Sequence, residues 1–140
     1  MYHDSVYPVS QTGSTGMAFE AGASGKNLTE WQFGMASLNP RWNVSGTYMQ
    51  VLPSFISTDQ DGNDEKEFLL DYFNELPDLL SMVFLKGYQW PFDVNKIFGG
   101  SSVIDLLVYQ ETVLKKRRVF LDYRVNPGNL EKDRDLPYAS

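Results

Sequence analysis

The sequence predicts a mixed α+β fold, and three observations carry that expectation. Residues 11–34 set a glycine-containing turn ahead of a run of small residues and then a polar and aromatic stretch, which reads as turn, helix and strand. Phe68, Leu69, Tyr72, Phe73 and Leu76 recur at three- and four-residue spacing, the apolar stripe of a helix. Residues 117–125 alternate well enough for a strand before Asn126, Pro127 and Gly128 break it.

The first turn comprises Thr12, Gly13, Ser14, Thr15 and Gly16. Glycine lets a backbone approach a ligand closely, and a helix starting near Thr15 aims unpaired amides and its positive end back at the turn. Two readings follow: contact with the phosphates of a flavin or nucleotide, or a plain turn with a Ser or Thr helix cap. Residues 39–46 then read as a polar connection. The β-branched and aromatic run 47–52 reads as a strand, with Pro53 placing part of it at a sheet edge.

Residues 59–65 read as a turn whose acidic residues sit at the start of the next helix. Their Asp-x-Asp spacing hints at calcium, but Gly62 comes too early and Leu70 stands where an EF-hand needs its bidentate Glu, so no metal site is expected. The helix from near Asp64 should kink or restart at Pro77, before residues 78–85, and stop at Gly87. Tyr88, Trp90 and Phe92 form an aromatic cluster, either a wall for a flat ring or a loop anchor. Gly99, Gly100, Ser101 and Ser102 precede a helical segment over 103–109. They lack the Lys-Ser or Lys-Thr of a nucleotide-hydrolysing loop, so a helix cap is the stronger reading. The basic run 115–118 reads as a solvated helix end, and the tail beyond Asn129 as a fraying terminus.

Composition narrows the function classes. Zero cysteines exclude disulfides, thiolate metal sites and a cysteine nucleophile. A net charge of −6 argues against a nucleic-acid partner. No window approaches the roughly 18 uninterrupted apolar residues of a membrane span, and residues 1–8 do not read as a secretory signal, so a cytoplasmic location is expected. His3 is the single histidine, which leaves a Ser-His-Asp triad or a histidine-rich metal site resting on one residue near the terminus.

Several short motifs, in order, resemble the flavoprotein subunits of succinate dehydrogenase and fumarate reductase and the related aspartate oxidases. Thr12-Gly13, Met17-Ala18, Ala21-Gly22 and Gln32-Phe33 are similar to that family's Thr-Gly-Asp-Gly turn, its Met-Ala-x-x-Ala-Gly helix and its Gln-Phe-His strand. Asp61-Gly62 ahead of Glu67-Phe68-Leu69 is similar to its Asp-Gly-Glu-Arg-Phe-Met segment, and residues 118–122 resemble its Val-Tyr-Leu-Asp strand. The resemblance implies FAD as cofactor, with Thr12, Gly13, Ser14, Thr15 and Gly16 at the flavin and Glu30, Gln32 and Tyr48 lining a small-molecule substrate pocket. It implies residues 1–58 as the last segment of a FAD-binding domain and 59–140 as capping-domain-like helices and short strands.

Departures from the family pattern bear on activity. Ser14 replaces the Asp of the turn, Gly34 the His of the strand, and Glu67 the Arg that helps to hold a dicarboxylate. Losing an imidazole and exchanging a guanidinium for a carboxylate removes the cations a dianion needs, so succinate and fumarate are not expected as substrates. No Gly-x-Gly-x-x-Gly fingerprint follows an N-terminal strand either. The chain is accordingly expected to be a piece of a FAD-dependent oxidoreductase, inactive alone and partnered by the remainder of the flavoprotein. The other class is a non-catalytic α+β protein-interaction module. Apolar surface exposed near Met17, Ala21 and Trp31 would favour the first, and a closed surface the second.

Overall fold

A computed structural model describes residues 13–28, 34–39 and 41–124, with the backbone alone for 41–43. Thr12, Glu30, Trp31, Gln32, His3 and the tail beyond Asn129 lie outside the described residues. The chain divides into two compact units, Met1–Val44 and Ser45–Ser140. The division thus falls at Val44. A boundary after residue 58 would separate strands that pair with each other along five residues.

In the first unit, Gly13 takes the left-handed φ of 93° and opens helix α1, Ser14–Glu20, with its carbonyl accepting from the Met17 amide at 3.1 Å. That conformation suits glycine, which has no Cβ to clash. Neither Ser14 nor Thr15 caps the helix with its side chain. Gly22, at φ 88°, ends it while the Gly22 and Ala23 amides bond back to the Phe19 and Ala18 carbonyls, a glycine stop. Every residue of α1 is exposed, Met17 at 70%. Strands β1, Ala36–Leu38, and β2, Arg41–Asn43, pair antiparallel, with Leu38 opposite Arg41. Residues 41–43, within the polar stretch expected as a connection, are thus the second arm of a hairpin.

In the second unit, the expected strand over 47–52 is instead a short 3-10 turn, Gly46–Met49. The Ser45 hydroxyl accepts from the Thr47 amide, and Met49 is fully buried, so a local cap and one apolar anchor override β propensity. Leu52 follows at φ 53°, a left-handed conformation unfavourable for a side-chain-bearing residue, and turns the chain into Pro53. Strand β3, Ser54–Thr58, comes next and lies at the centre of its sheet, between β4, Lys66–Glu67, and β5, Arg118–Asp122, both antiparallel to it. Pro53 therefore precedes a central strand and occupies no edge.

The helix expected from Asp64 does not form. Lys66 and Glu67 pair with Ser57 and Ile56, and Phe68–Asp71 make a 3-10 turn that drives Phe68 and Leu69 into the core at 0% exposure. Helix α2, Leu76–Lys86, carries Pro77 in its first turn, where a missing amide costs nothing. It stops at Gly87, as expected, although Gly87 is right-handed. The requirement there is space: a Cβ on Gly87 would lie 2.9 Å from the Gly46 carbonyl oxygen and 3.0 Å from that of Phe84. Helix α3, Ser102–Tyr109, runs on into a wider π turn, Gln110–Leu114.

The core lies between the helices and one face of the sheet. Phe55 meets Phe68 edge to face at 6.3 Å, and Leu79, Val83, Ile104 and Leu107 complete it. Two buried charges are built in. Lys86, fully buried, donates to the Gln89 carbonyl at 3.2 Å, the Trp90 carbonyl at 2.8 Å and Asp105 Oδ2 at 2.6 Å, which satisfies all three protons. Burial pushes the Lys86 pKa down and that of Asp105 up, with their mutual hydrogen bond opposing both shifts. Among the described residues no helix is long and apolar enough to cross a membrane.

Candidate functional site

Strand alternation sorts the sheet into two faces. Phe55 and Ser57 turn to the helices, while Ile56 and Thr58, with Phe120 opposite Ile56 and Arg118 opposite Thr58, share the other face. That second face holds an open depression of about 340 Å³. Its apolar floor is Ile56, buried, and Phe120, 42% exposed. Its rim is polar: Thr58, Glu65, Asp122 and Arg124, with Gly62 at one end.

The rim is charged and ordered by pairing. Arg124 grips Asp122 with two parallel contacts, Nε to Oδ1 at 2.9 Å and Nη2 to Oδ2 at 2.7 Å, and its amide also donates to Oδ1. The Arg124 guanidinium and amide hold the Asp122 carboxyl below its ordinary range. Glu65 stands 3.7 Å from the same guanidinium. Arg118 lies over the Phe120 ring at 5.1 Å, a cation–π contact on an exposed aromatic. An aromatic floor with charges of both signs at its edge suits a polypeptide segment, which presents apolar side chains beside ionic ones.

The loop that closes one end is fixed from below. The Asp59 carboxylate accepts from the amides of Asp61 and Asn63, so it serves the turn itself. Arg117, inside the basic run expected to be solvated, has a side chain only 13% exposed. It donates to Ser57 Oγ at 3.1 Å, to the Ser57 carbonyl at 3.2 Å and to Asp64 Oδ2 at 2.7 Å, and it stands 3.4 Å from Glu111 Oε2. Glu111, fully buried, accepts from Lys115 at 2.5 Å. Burial works against the Glu111 carboxylate, and hydrogen bonds from Lys115 and Ser57 outweigh it, leaving the pKa below the ordinary value. The basic run thus joins β3, the loop and the π turn.

Of the residues the sequence singles out, Gly13, Ser14, Thr15 and Gly16 lie in and beside the opening of α1, all exposed. Tyr48 sits in the 3-10 turn of the second unit, 41% exposed, where its carbonyl accepts from the Tyr123 hydroxyl at 3.3 Å. Thr12, Glu30 and Gln32 fall outside the described residues. The serines of the Gly99 segment act within the fold. Ser101 bonds to the Gln89 side chain, and the Ser102 hydroxyl accepts from the Asp93 amide at 3.0 Å, tying the aromatic loop to the start of α3. Sequence reasoning singles out none of Ile56, Thr58, Glu65, Phe120 or Arg124 as site residues. The signal that could have found them is the alternation of residues 118–122, which puts Arg118, Phe120 and Asp122 on one face of a strand. No family model, curated protein or solved structure matches this chain.

Proposed function

We propose that the chain is a non-catalytic α+β interaction module that takes an extended polypeptide segment along the β5 edge of its three-stranded sheet, with side chains of the segment reaching the open face beside that edge. The observation that carries this reading is the Ile56 and Phe120 floor beneath the paired rim of Asp122, Arg124 and Glu65. Addition of a strand to a sheet edge supplies affinity through main-chain hydrogen bonds, and pockets for alternate side chains supply selectivity. The test is selection from a displayed peptide library, followed by titration of the enriched peptide against wild-type and Phe120→Asp protein. The reading expects a peptide with alternating apolar residues whose affinity falls at least tenfold in the variant. Enrichment no better than a scrambled library, or equal binding to Phe120→Asp, would remove it.

A second reading, a piece of a FAD-dependent oxidoreductase related to the succinate dehydrogenase and fumarate reductase flavoproteins, draws support from two features. Gly13 adopts the left-handed turn conformation at the start of α1, and α1 exposes Met17 and Phe19 as a helix does when its neighbour is another body. The described residues do not fit FAD by themselves. Positions 13–28 are exposed throughout and enclose no ring system. In this reading Gly13, Ser14, Thr15 and Gly16 would meet the cofactor's phosphates only with the remaining flavoprotein in place. Recording the visible absorption of the chain produced together with the remaining flavoprotein tests it: a flavin spectrum that bleaches with a reductant supports the reading, and a colourless, folded product that fails to bind added FAD removes it.

A further inference from the structure

We infer that a second copy of this chain is a partner of the β5 edge, docking by antiparallel pairing about Phe120 so that two three-stranded sheets join into one of six strands. This rests on the reading of the β5 side as strand-binding and names the partner. Among the described residues, β5 pairs with β3 on one side and with no strand on the other. The opposite edge of the sheet, β4, is only two residues long, too short to template another chain.

The sequence of β5 is complementary to itself. It reads Arg118, Val119, Phe120, Leu121, Asp122. An antiparallel pair centred on Phe120 sets Arg118 opposite the partner's Asp122, Asp122 opposite the partner's Arg118, and Phe120 opposite the partner's Phe120. Val119 then faces the partner's Leu121. Each of these is a favourable cross-strand pair: two of opposite charge, one aromatic and two aliphatic. A two-fold interface of this kind uses the same patch on both chains and closes on itself, so it gives a dimer and no filament.

The charges also select the register. Shifting the pairing by two residues toward the C-terminal end sets Arg118 opposite the partner's Arg124, and parallel pairing sets Arg118 against the partner's Arg118. Both juxtapose like charges. Edge strands are commonly protected by Pro, by Lys or by an inward charge. Within β5 the two charges are of opposite sign, one at each end, and Phe120 between them is 42% exposed. Asp122 is held ionised by Arg124, itself 73% exposed in its side chain. Arg124 is thus an intramolecular competitor for the carboxylate that the partner's Arg118 approaches. A five-residue pairing covers less than a standard stable interface, so the dimer is expected at high micromolar concentration.

The test is sedimentation velocity on the full chain from about 10 μM to 1 mM, a range set by the weak end of interface sizes. Wild type should shift from monomer to dimer across it. R118D and D122R should each remain monomeric, because each sets like charges across both ends of the pair, while an equimolar mixture of the two should recover the dimer. R124A should dimerise at lower concentration than wild type, by threefold or more. A second measurement needs no variant: hydrogen exchange of wild type should show protection of β5 amides rising with protein concentration while β4 amides stay unchanged. Wild type monomeric throughout, a dimer indifferent to R118D, or two folded variants that fail to recombine would overturn the inference. If a library peptide binds in a Phe120-dependent way while the chain stays monomeric, this inference falls and the strand-binding reading stands.

Discussion

The two units of the chain differ in what holds them. Among the described residues, all ten buried apolar side chains, from Met49 to Leu107, belong to Ser45–Ser140. In Met1–Val44 no residue whose side chain is described is buried, and a seven-residue helix opens and closes on glycines with its whole surface exposed. A helix of that length is marginal in water without a packed face. Yet the first unit carries the densest run of short Gly, Ala, Ser and Thr motifs. Short motifs made of Gly, Ala, Ser and Thr record backbone geometry, while cohesion is recorded by buried volume, and one chain can show the two in different places.

The largest break in this contrast should come from the second unit's buried charge. Lys86→Met leaves Asp105 without its partner in a site already costly for a carboxylate, and should lower unfolding free energy by about 3–5 kcal/mol in a urea titration. Adding Asp105→Leu should recover much of that loss. Arg117→Ala should cost about 2–4 kcal/mol, because it unties Ser57, Asp64 and Glu111 together. Arg117→Lys should recover little, since an ammonium cannot reproduce the planar fork.

Acid sharpens the comparison further. Glu111 has a folded pKa below its ordinary value, so its contribution is fully present above the unfolded-chain pKa and is lost as pH falls through the folded one. Glu111→Gln should therefore be less stable than wild type near neutrality, with the gap closing as pH drops below about 4, seen as converging urea midpoints. The smallest effect should be in the first unit. Met17→Ser, at an exposed position of α1, should move the stability of the second unit by less than about 0.5 kcal/mol.

What was legible in the sequence follows the same physics. The glycine turn into α1, the helical segment over 78–85 with its stop at Gly87, the helix beginning near Ser102 and the strand at residues 118–122 all rest on local stereochemistry or periodicity, and they formed as expected. The misreadings lie where tertiary burial decides. Phe68, Leu69, Tyr72 and Phe73 have helical spacing, but two of them fill the core from a 3-10 turn because Lys66 and Glu67 are drawn into the sheet. The segment from Gly46 has strand composition, but Met49 and the contact between Gly46 and Gly87 fold it into a turn. Arg117 looks solvated within a run of four cations, and only the return of the chain to Ser57 and Asp64 buries it. The site was hidden for the same reason: Ile56 and Phe120 become neighbours through antiparallel register across more than sixty residues of chain.

Among the described residues, the second unit alone carries a cohesive core. Residue-resolved hydrogen exchange of the full chain tests it most directly. The account predicts strong protection for amides of β3, α2 and α3, with those of Ser14–Glu20 exchanging near the rate of an unprotected chain. Protection of Ser14–Glu20 equal to that of α2 would contradict it, because the first helix would then owe its stability to a packed face that its exposure denies.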